Sequence, residues 1–136
     1  MVDFGKLRTR VDGTIAVPGD ASYADARRVW NGMIDRHPAA VLCAASPADV
    51  AEGLRFAQEH SLPLAVRGGG HGVSGNGTVE SGLVIDLGSL NEVSVDRRSA
   101  VVRVAGGAKL GDVDRATAPY RLAVPLGVIS GTGWRD

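Results

Sequence analysis

Glycine is the residue that most constrains the fold of this chain, because it is both abundant and clustered. The chain has 19 glycines among 136 residues, against an average usage of about 7%. They gather at residues 68–82, 106–111 and 127–133, between apolar runs. Such clusters mark places where the backbone turns sharply or approaches another group closely. The sequence therefore predicts specifically shaped loops rather than flexible linkers.

Composition excludes several classes of partner. The 15 basic and 15 acidic side chains cancel, so no cationic surface for nucleic acid is expected. The longest apolar run, Ala39–Ala45, is far shorter than the roughly 20 residues of a membrane span. No secretory signal is visible at the N-terminus, and Cys43, without a second cysteine to pair with, suggests a buried thiol in a reducing compartment. We expect a cytoplasmic protein with no nucleic-acid or membrane partner.

Residues 41–67 predict a strand, a helix and a second strand. Val41–Ala44 is a short apolar run of the buried-strand type. Ser46-Pro47-Ala48-Asp49 then supplies an N-cap, a proline at the first helical position and an acid at the third. Apolar residues follow at helical spacing, at Val50, Leu54 and Ala57. The next apolar run is Leu64–Val66, so this segment is typical of a crossover between parallel strands.

The remaining chain predicts shorter elements. Three further strands are expected at Leu83–Ile85, Val93–Val95 and Val101–Val104, and a helix is expected from Lys109 to Ala118, with Leu110, Val113 and Ala116 on one face. Residues 1–36 form a polar lead-in with a brief helix around Tyr23–Trp30, and Trp30 is expected to be packed rather than functional. The prediction is an α+β fold with a parallel start followed by shorter, mixed or antiparallel strands.

The loop after the second predicted strand resembles a dinucleotide fingerprint but lacks its context. Residues 70–75 satisfy G-x-G-x-x-G directly after a strand. Only seven residues, 76–82, separate this loop from the next strand, whereas a crossover with its helix needs at least about 10–12. The loop does not match the nucleophile elbow G-x-S-x-G of serine hydrolases either, because Asn76 stands where the second glycine is required. The three histidines show no metal-ligand spacing, so no metal site is expected.

The glycines of this loop can still bind an anion. Consecutive glycines allow successive backbone N–H groups to point into one concavity, which binds an anion without a helix or a lysine. A diphosphate suits such a nest because it accepts several hydrogen bonds, and His71 would project toward whatever the diphosphate carries. The alternative from residue types alone is a flexible surface loop with an incidental histidine.

Several ordered blocks resemble one family. The blocks are Val66-Arg67-Gly68-Gly69-Gly70-His71-Gly72, Leu83-Val84-Ile85-Asp86-Leu87, Gly106-Gly107-Ala108 with Leu110-Gly111-Asp112-Val113, and Leu122-Ala123-Val124-Pro125-Leu126-Gly127 with Thr132-Gly133. In this order the chain resembles the PCMH-type FAD-binding domain of the vanillyl-alcohol oxidase and berberine-bridge-enzyme-like oxidoreductases. The resemblance implies such a domain over residues 37–136.

The resemblance implies that FAD binds to this chain. The implied cofactor-binding residues are Arg67, Gly68, Gly69, Gly70, His71, Gly72, Ser74, Gly75, Pro125, Gly127, Thr132 and Gly133. The family's counterpart of His71 is commonly bonded to the 8α-methyl carbon of the flavin, and a neutral imidazole is a suitable nucleophile near pH 7. A second bond, from cysteine, is not expected because Ile129 occupies that position. Arg67 either offsets diphosphate charge or caps its strand.

The chain also departs from the family pattern. The family's flavin domain continues past the counterpart of Gly133 and is followed by a substrate domain, and Arg121 stands where the family usually has glycine. We expect an incomplete flavin domain with no assigned catalytic residue, inactive alone. The complete enzyme would oxidise an alcohol, sugar or similar small donor and pass electrons to oxygen or another acceptor. The alternatives are a non-catalytic flavin- or partner-binding module completed by a second chain and, less favoured because of His71, an NADPH-dependent reductase.

Overall fold

The computed structural model describes residues 2–134. Its strands are β1 (Thr14–Ala16), β2 (Ala40–Cys43), β3 (Leu64–Arg67), β4 (Leu83–Asp86), β5 (Val93–Asp96) and β6 (Val101–Val104). Its helices are α1 (Gly5–Arg8), α2 (Tyr23–Ala26), α3 (Pro47–Glu59) and α4 (Leu110–Thr117), with a 3₁₀ turn over Ala118–Tyr120. Within this described part, no helix combines the length and hydropathy that crossing a bilayer requires.

The strands form two sheets. The first has the order β1-β2-β4-β3, in which β4 is parallel to both β2 and β3, and β1 is antiparallel to β2. The second sheet pairs β5 with β6 antiparallel. The predicted α+β fold, with a parallel start and later antiparallel strands, is confirmed. The chain pattern did not predict that β4 lies between the two strands of the crossover.

Successive side chains of the central strands β2 and β4 point to opposite faces of the first sheet, so the core is divided between the two faces. Leu42 and Ile85 belong to the larger cluster, which Leu7, Ile15 and Phe56 complete on the same face. Val41 and Val84 belong to the smaller cluster on the other face. Because β2 and β4 are covered on both faces, both read in the sequence as continuous apolar runs.

Helix α3 begins as predicted, and two of its three predicted apolar positions face the core, since Ala57 is buried and Val50 packs against the larger cluster. Ser46 is the N-cap, and its hydroxyl accepts the backbone N–H of Asp49. The buried residues include Gly53, Phe56 and Ala57, whereas Leu54 is exposed. A Cβ on Gly53 would lie 2.8 Å from Leu42 Cδ2. The helix therefore approaches the sheet through its glycine, which a pattern counted from apolar side chains alone misses.

The other helices also differ in detail from the predictions. In α4 the buried residues are Leu110, Val113 and Thr117, not Ala116. Thr117 is buried at low cost because its hydroxyl donates to the Val113 carbonyl at 3.0 Å. Helix α2 ends at Ala26, so the predicted helix around residues 23–30 is shorter than expected.

The first 36 residues contribute more than a polar lead-in. Leu7 in α1 is fully buried, and β1 extends the sheet by pairing Ile15 with Leu42. A three-residue strand is too short to leave a readable alternation in the sequence. The placement of a domain boundary at residue 36 stays a prediction.

Asp49 connects α3 to the loop before β1. Its side chain is buried, and its two carboxylate oxygens accept the backbone N–H groups of Asp12, Gly13 and Ala45 at 2.8–3.0 Å. Burial raises the pKa of this carboxyl, but the hydrogen bonds from the three amides and from Ser46 outweigh it and leave the pKa below its ordinary value.

We expect Asp49→Asn to destabilise the fold by about 2–3 kcal/mol at pH 7, because an amide cannot supply the charged acceptors that these N–H groups use. Since the folded pKa is depressed, the contribution of Asp49 is present above its unfolded pKa of about 3.9 and is lost as the pH falls through the folded value. Urea unfolding of both proteins at pH 7 and at pH 3 measures this. A stability difference that does not shrink at pH 3 would contradict the prediction.

Arg121 adopts a left-handed conformation, with φ of 56°, directly after the 3₁₀ turn. A residue with a Cβ is disfavoured there by about 1–2 kcal/mol, whereas glycine is not. Arg121→Gly is therefore expected to raise Tm by about 2–5 °C, after the larger unfolded-state entropy of glycine is subtracted. Arg121→Ala is the matched control, since it keeps the Cβ. An equal rise in both variants would show that backbone strain is not the cause.

Candidate functional site

The glycine-rich loop begins where parallel strand β3 ends. Gly70 and Gly75 have φ angles of 75° and 73°, so both adopt a conformation that residues with a Cβ rarely reach. The loop borders a cavity of about 230 Å³. Gly68, Gly72 and Ser74 line this cavity, and their backbone N–H groups donate to no acceptor within residues 2–134. Turned backbone with uncommitted amide donors is the geometry of an anion-binding nest.

A segment about forty residues upstream holds this loop in place. The backbone N–H of Trp30 donates to the Gly70 carbonyl at 3.0 Å, and the side-chain amide of Asn31 donates to the Val73 carbonyl at 2.9 Å. Arg36 Nη1 donates to the carbonyls of Gly75 and Thr78. The donors take up loop carbonyls, so the loop is not the flexible surface segment that residue types alone left open.

Trp30 also contacts His71 directly. The indole and imidazole rings are stacked, with centroids 5.6 Å apart and an interplanar angle of 27°. The residue is 65% exposed, so the expectation of a packed Trp30 is wrong. Sequence analysis missed this contact because only the turn after α2 brings residue 30 against residue 71.

A second, larger cleft brings together both ends of the predicted site. It measures about 800 Å³ and contains His71 from the glycine-rich loop. Of the other predicted residues, the cleft is lined by Gly72, Ser74, Pro125, Gly127, Thr132 and Gly133. The smaller cavity is lined by Arg67, Gly68, Gly70, Gly72, Ser74 and Gly75. Because Gly72 and Ser74 line both spaces, the two form neighbouring parts of one site, and Gly69 alone among the predicted residues lines neither.

Backbone contacts with the start of α4 hold the C-terminal wall of the cleft. The N–H of Leu110 donates to the Thr132 carbonyl at 3.0 Å, and the N–H of Gly111 donates to the Ser130 carbonyl at 3.0 Å. A bridge between Lys109 and Gly133 continues this contact. Helix α4 therefore carries this wall, while β3 and β4 carry the glycine-rich loop.

Arg67 lies beneath the loop rather than reaching into open space. Its Nε donates to Asp86 Oδ2 at 2.8 Å, and its Nη2 donates to the same oxygen. The other guanidinium donors reach the backbone carbonyls of Ala26 and Arg28. The Asp86 carboxylate thus balances most of the charge that Arg67 could offer a diphosphate. A direct contact between Arg67 and a cofactor stays a prediction.

Cys43 is separate from both cavities. It lies in β2 and is only partly buried, not fully buried as its apolar neighbours suggested. Burial raises the pKa of its thiol, and the Asp86 carboxylate raises it further. Ile129, where the family's second cysteine link would lie, is exposed. Across residues 2–134, no three His, Cys, Asp or Glu side chains are grouped as a metal site would need.

Comparison with known proteins places the chain among flavoproteins. The family described as an FAD binding domain matches residues 38–132. The FAD-linked oxidoreductase hasG of Aspergillus fumigatus is 38% identical over 120 residues, 88% of this chain and 25% of that protein. The (R)-6-hydroxynicotine oxidase of Paenarthrobacter nicotinovorans is 30% identical over 118 residues, 87% of this chain and 26% of the oxidase. The chain spans about a quarter of the length of these curated relatives.

Solved structures show the same fold. 6-Hydroxy-D-nicotine oxidase from Arthrobacter nicotinovorans matches with a TM-score of 0.87 and 29% identity, over 91% of this chain and 27% of the oxidase. The berberine-bridge-enzyme-like protein 1 of Physcomitrella patens matches with a TM-score of 0.88 over 97% of this chain and 29% of that protein, at 22% identity. These findings confirm the resemblance on which the predicted fold was based.

The contribution of the Arg67–Asp86 ion pair to folding stability can be measured. We expect Asp86→Asn to destabilise the fold by about 3–5 kcal/mol, because it leaves a buried guanidinium without its counter-charge. Glu52→Gln is the matched control, since it breaks the Arg55–Glu52 pair on the surface of α3 at a cost below about 1 kcal/mol. Urea unfolding at pH 7 compares the two variants, and similar losses would show that the burial of Arg67 carries no special cost.

Proposed function

Because this chain belongs to the FAD binding domain family, we propose that it binds FAD through the glycine-rich loop and the adjoining cleft. The observation that carries the proposal is that the two spaces share lining residues. Gly68, whose backbone N–H donates to no acceptor within residues 2–134, lines the smaller space, His71 lines the larger one, and Gly72 and Ser74 line both. An extended cofactor with a diphosphate at one position and a ring system at another suits this arrangement.

The residues present fit the diphosphate of FAD. The backbone N–H groups of Gly68, Gly72 and Ser74 donate to no acceptor within residues 2–134, so an anion would satisfy them rather than displace existing bonds. Arg67 contributes by supporting the loop, since a Cβ on Gly70 would lie 3.2 Å from Arg67 Cδ and a Cβ on Gly77 would lie 3.4 Å from Arg67 Cγ. The loop would hold the diphosphate mainly through its backbone.

His71 is the residue we propose for a covalent link to the flavin. The unprotonated ring nitrogen of a neutral His71 imidazole would form the bond to the 8α-methyl carbon. The imidazole would give up the proton of its other ring nitrogen, and the methyl group would give up one hydrogen with the electron pair of its C–H bond. Molecular oxygen is the two-electron acceptor that would take up both and leave as hydrogen peroxide. When bound, FAD supplies the two-electron redox chemistry of the complete enzyme.

We propose that the complete enzyme oxidises an alcohol, sugar or similar small donor and passes the electrons to oxygen or another acceptor. Relatives named as FAD-linked oxidoreductases and as an oxidase of (R)-6-hydroxynicotine support the reaction class. We also propose that the protein is located in the cytoplasm.

A second candidate is a non-catalytic flavin- or partner-binding module that a second chain completes. One observation favours it. Apart from Arg67 and His71, no ionisable side chain of residues 2–134 lines either part of the site. Oxidation of a donor by flavin requires a base that accepts a proton as hydride leaves. Turnover of an alcohol, sugar or amine donor by this polypeptide alone would exclude the module.

The covalent link is tested by acid precipitation. After incubation with FAD, absorbance near 450 nm should stay with the precipitated wild-type polypeptide and move to the supernatant for His71→Ala. His37→Ala is the matched control, because His37 is an exposed histidine outside both cavities. If FAD dissociates from all three proteins on precipitation, the covalent link is refuted but FAD binding is not. A folded wild-type chain that binds no FAD would refute the whole proposal.

A further inference from the structure

The stacked pair of Trp30 and His71 has no explanation in core packing. An indole gains stability by burying its large apolar surface, yet Trp30 remains 65% exposed and belongs to neither hydrophobic cluster of the sheet. Its defined ring contact is the His71 imidazole, at a centroid distance typical of favourable aromatic pairs. The indole therefore buries little of its own surface and contributes a ring contact to His71.

The backbone on both sides of His71 is fixed by the same upstream segment. The carbonyl of Gly70, directly before His71, accepts from the Trp30 backbone. The carbonyl of Val73, two residues after it, accepts from the Asn31 side chain. With its backbone held in this way, the imidazole keeps mainly its side-chain rotations, and the indole face restricts those.

We propose that Trp30 is a positioning residue that holds the imidazole of His71 in the orientation for bonding to the flavin. This inference rests on the proposed histidyl link. Bond formation needs the ring nitrogen in a near-attack position, and a misplacement of about 1 Å costs up to a hundredfold in rate. Trp30 does not touch the reacting carbon in this assignment. It acts through His71.

The test measures the rate of covalent attachment separately from FAD affinity. The apoprotein is mixed with saturating FAD, samples are precipitated with acid over time, and the flavin in the pellet is measured. Trp30→Ala should slow attachment about tenfold or more with little change in the Kd for FAD. Trp30→Phe should recover most of the rate because it keeps an aromatic face. Met33→Ala, an exposed change in the same segment, should leave the rate unchanged.

Two outcomes would overturn the inference. One is attachment at the wild-type rate in Trp30→Ala. The other is a large loss of FAD affinity with an unchanged rate at saturation, which would make the indole a cofactor contact instead. A purely structural role predicts similar losses in melting temperature for Trp30→Ala and Trp30→Phe, without the rate recovery in the phenylalanine variant.

An NMR measurement separates failure of this inference from failure of the proposed link. In the apoprotein, the ring protons of His71 should shift between wild type and Trp30→Ala because the indole ring current is removed, while those of His37 should not. Unchanged His71 shifts would refute the positioning role even if the link forms. If wild type forms no link, the link is refuted, and the same shifts still decide whether Trp30 orients His71.

Discussion

The ion pair between Arg67 and Asp86 joins the three parts of the molecule that make the site. It connects the ends of two adjacent parallel strands, which are in register at these residues. From there the guanidinium reaches the carbonyls of Ala26 and Arg28, at the end of α2. A planar group with several fixed donors can satisfy all these acceptors at once, which lysine could not do. The sheet, the upstream segment and the loop above the guanidinium are therefore held by one side chain.

The contacts of Arg67 also help to hold the loop that carries His71. The segment fixed by Arg67 continues to Trp30 and Asn31, which contact the loop on either side of His71. The loop is thereby held from below by β3 and laterally by the segment after α2, while the amides of Gly68, Gly72 and Ser74 donate to no acceptor within residues 2–134. A preorganised anion site needs both conditions, because donors that must first be ordered or released would reduce the binding free energy.

Local chemistry explains which parts of the fold were predictable. The cap at Ser46, the proline at Pro47 and the apolar runs of the central strands are properties of neighbouring residues, so the crossover could be recognised from sequence. The packing of α3 through Gly53 could not be recognised from sequence, because this residue lies close to the sheet only by having no side chain. Strand β1 was missed for a related reason, since three residues carry too little periodicity.

For the site, the sequence by itself determined a glycine-rich loop after a strand, with His71 within it. These follow from residue types at fixed spacing, and the family resemblance assigned them to FAD. Tertiary structure decided what surrounds them. It directed Arg67 to Asp86, placed Pro125–Gly127 and His71 around one cleft, and stacked Trp30 on the imidazole. Those contacts join residues from about 20 to 60 positions apart, and their geometry is set by strand order and loop path, which no local pattern of side chains encodes.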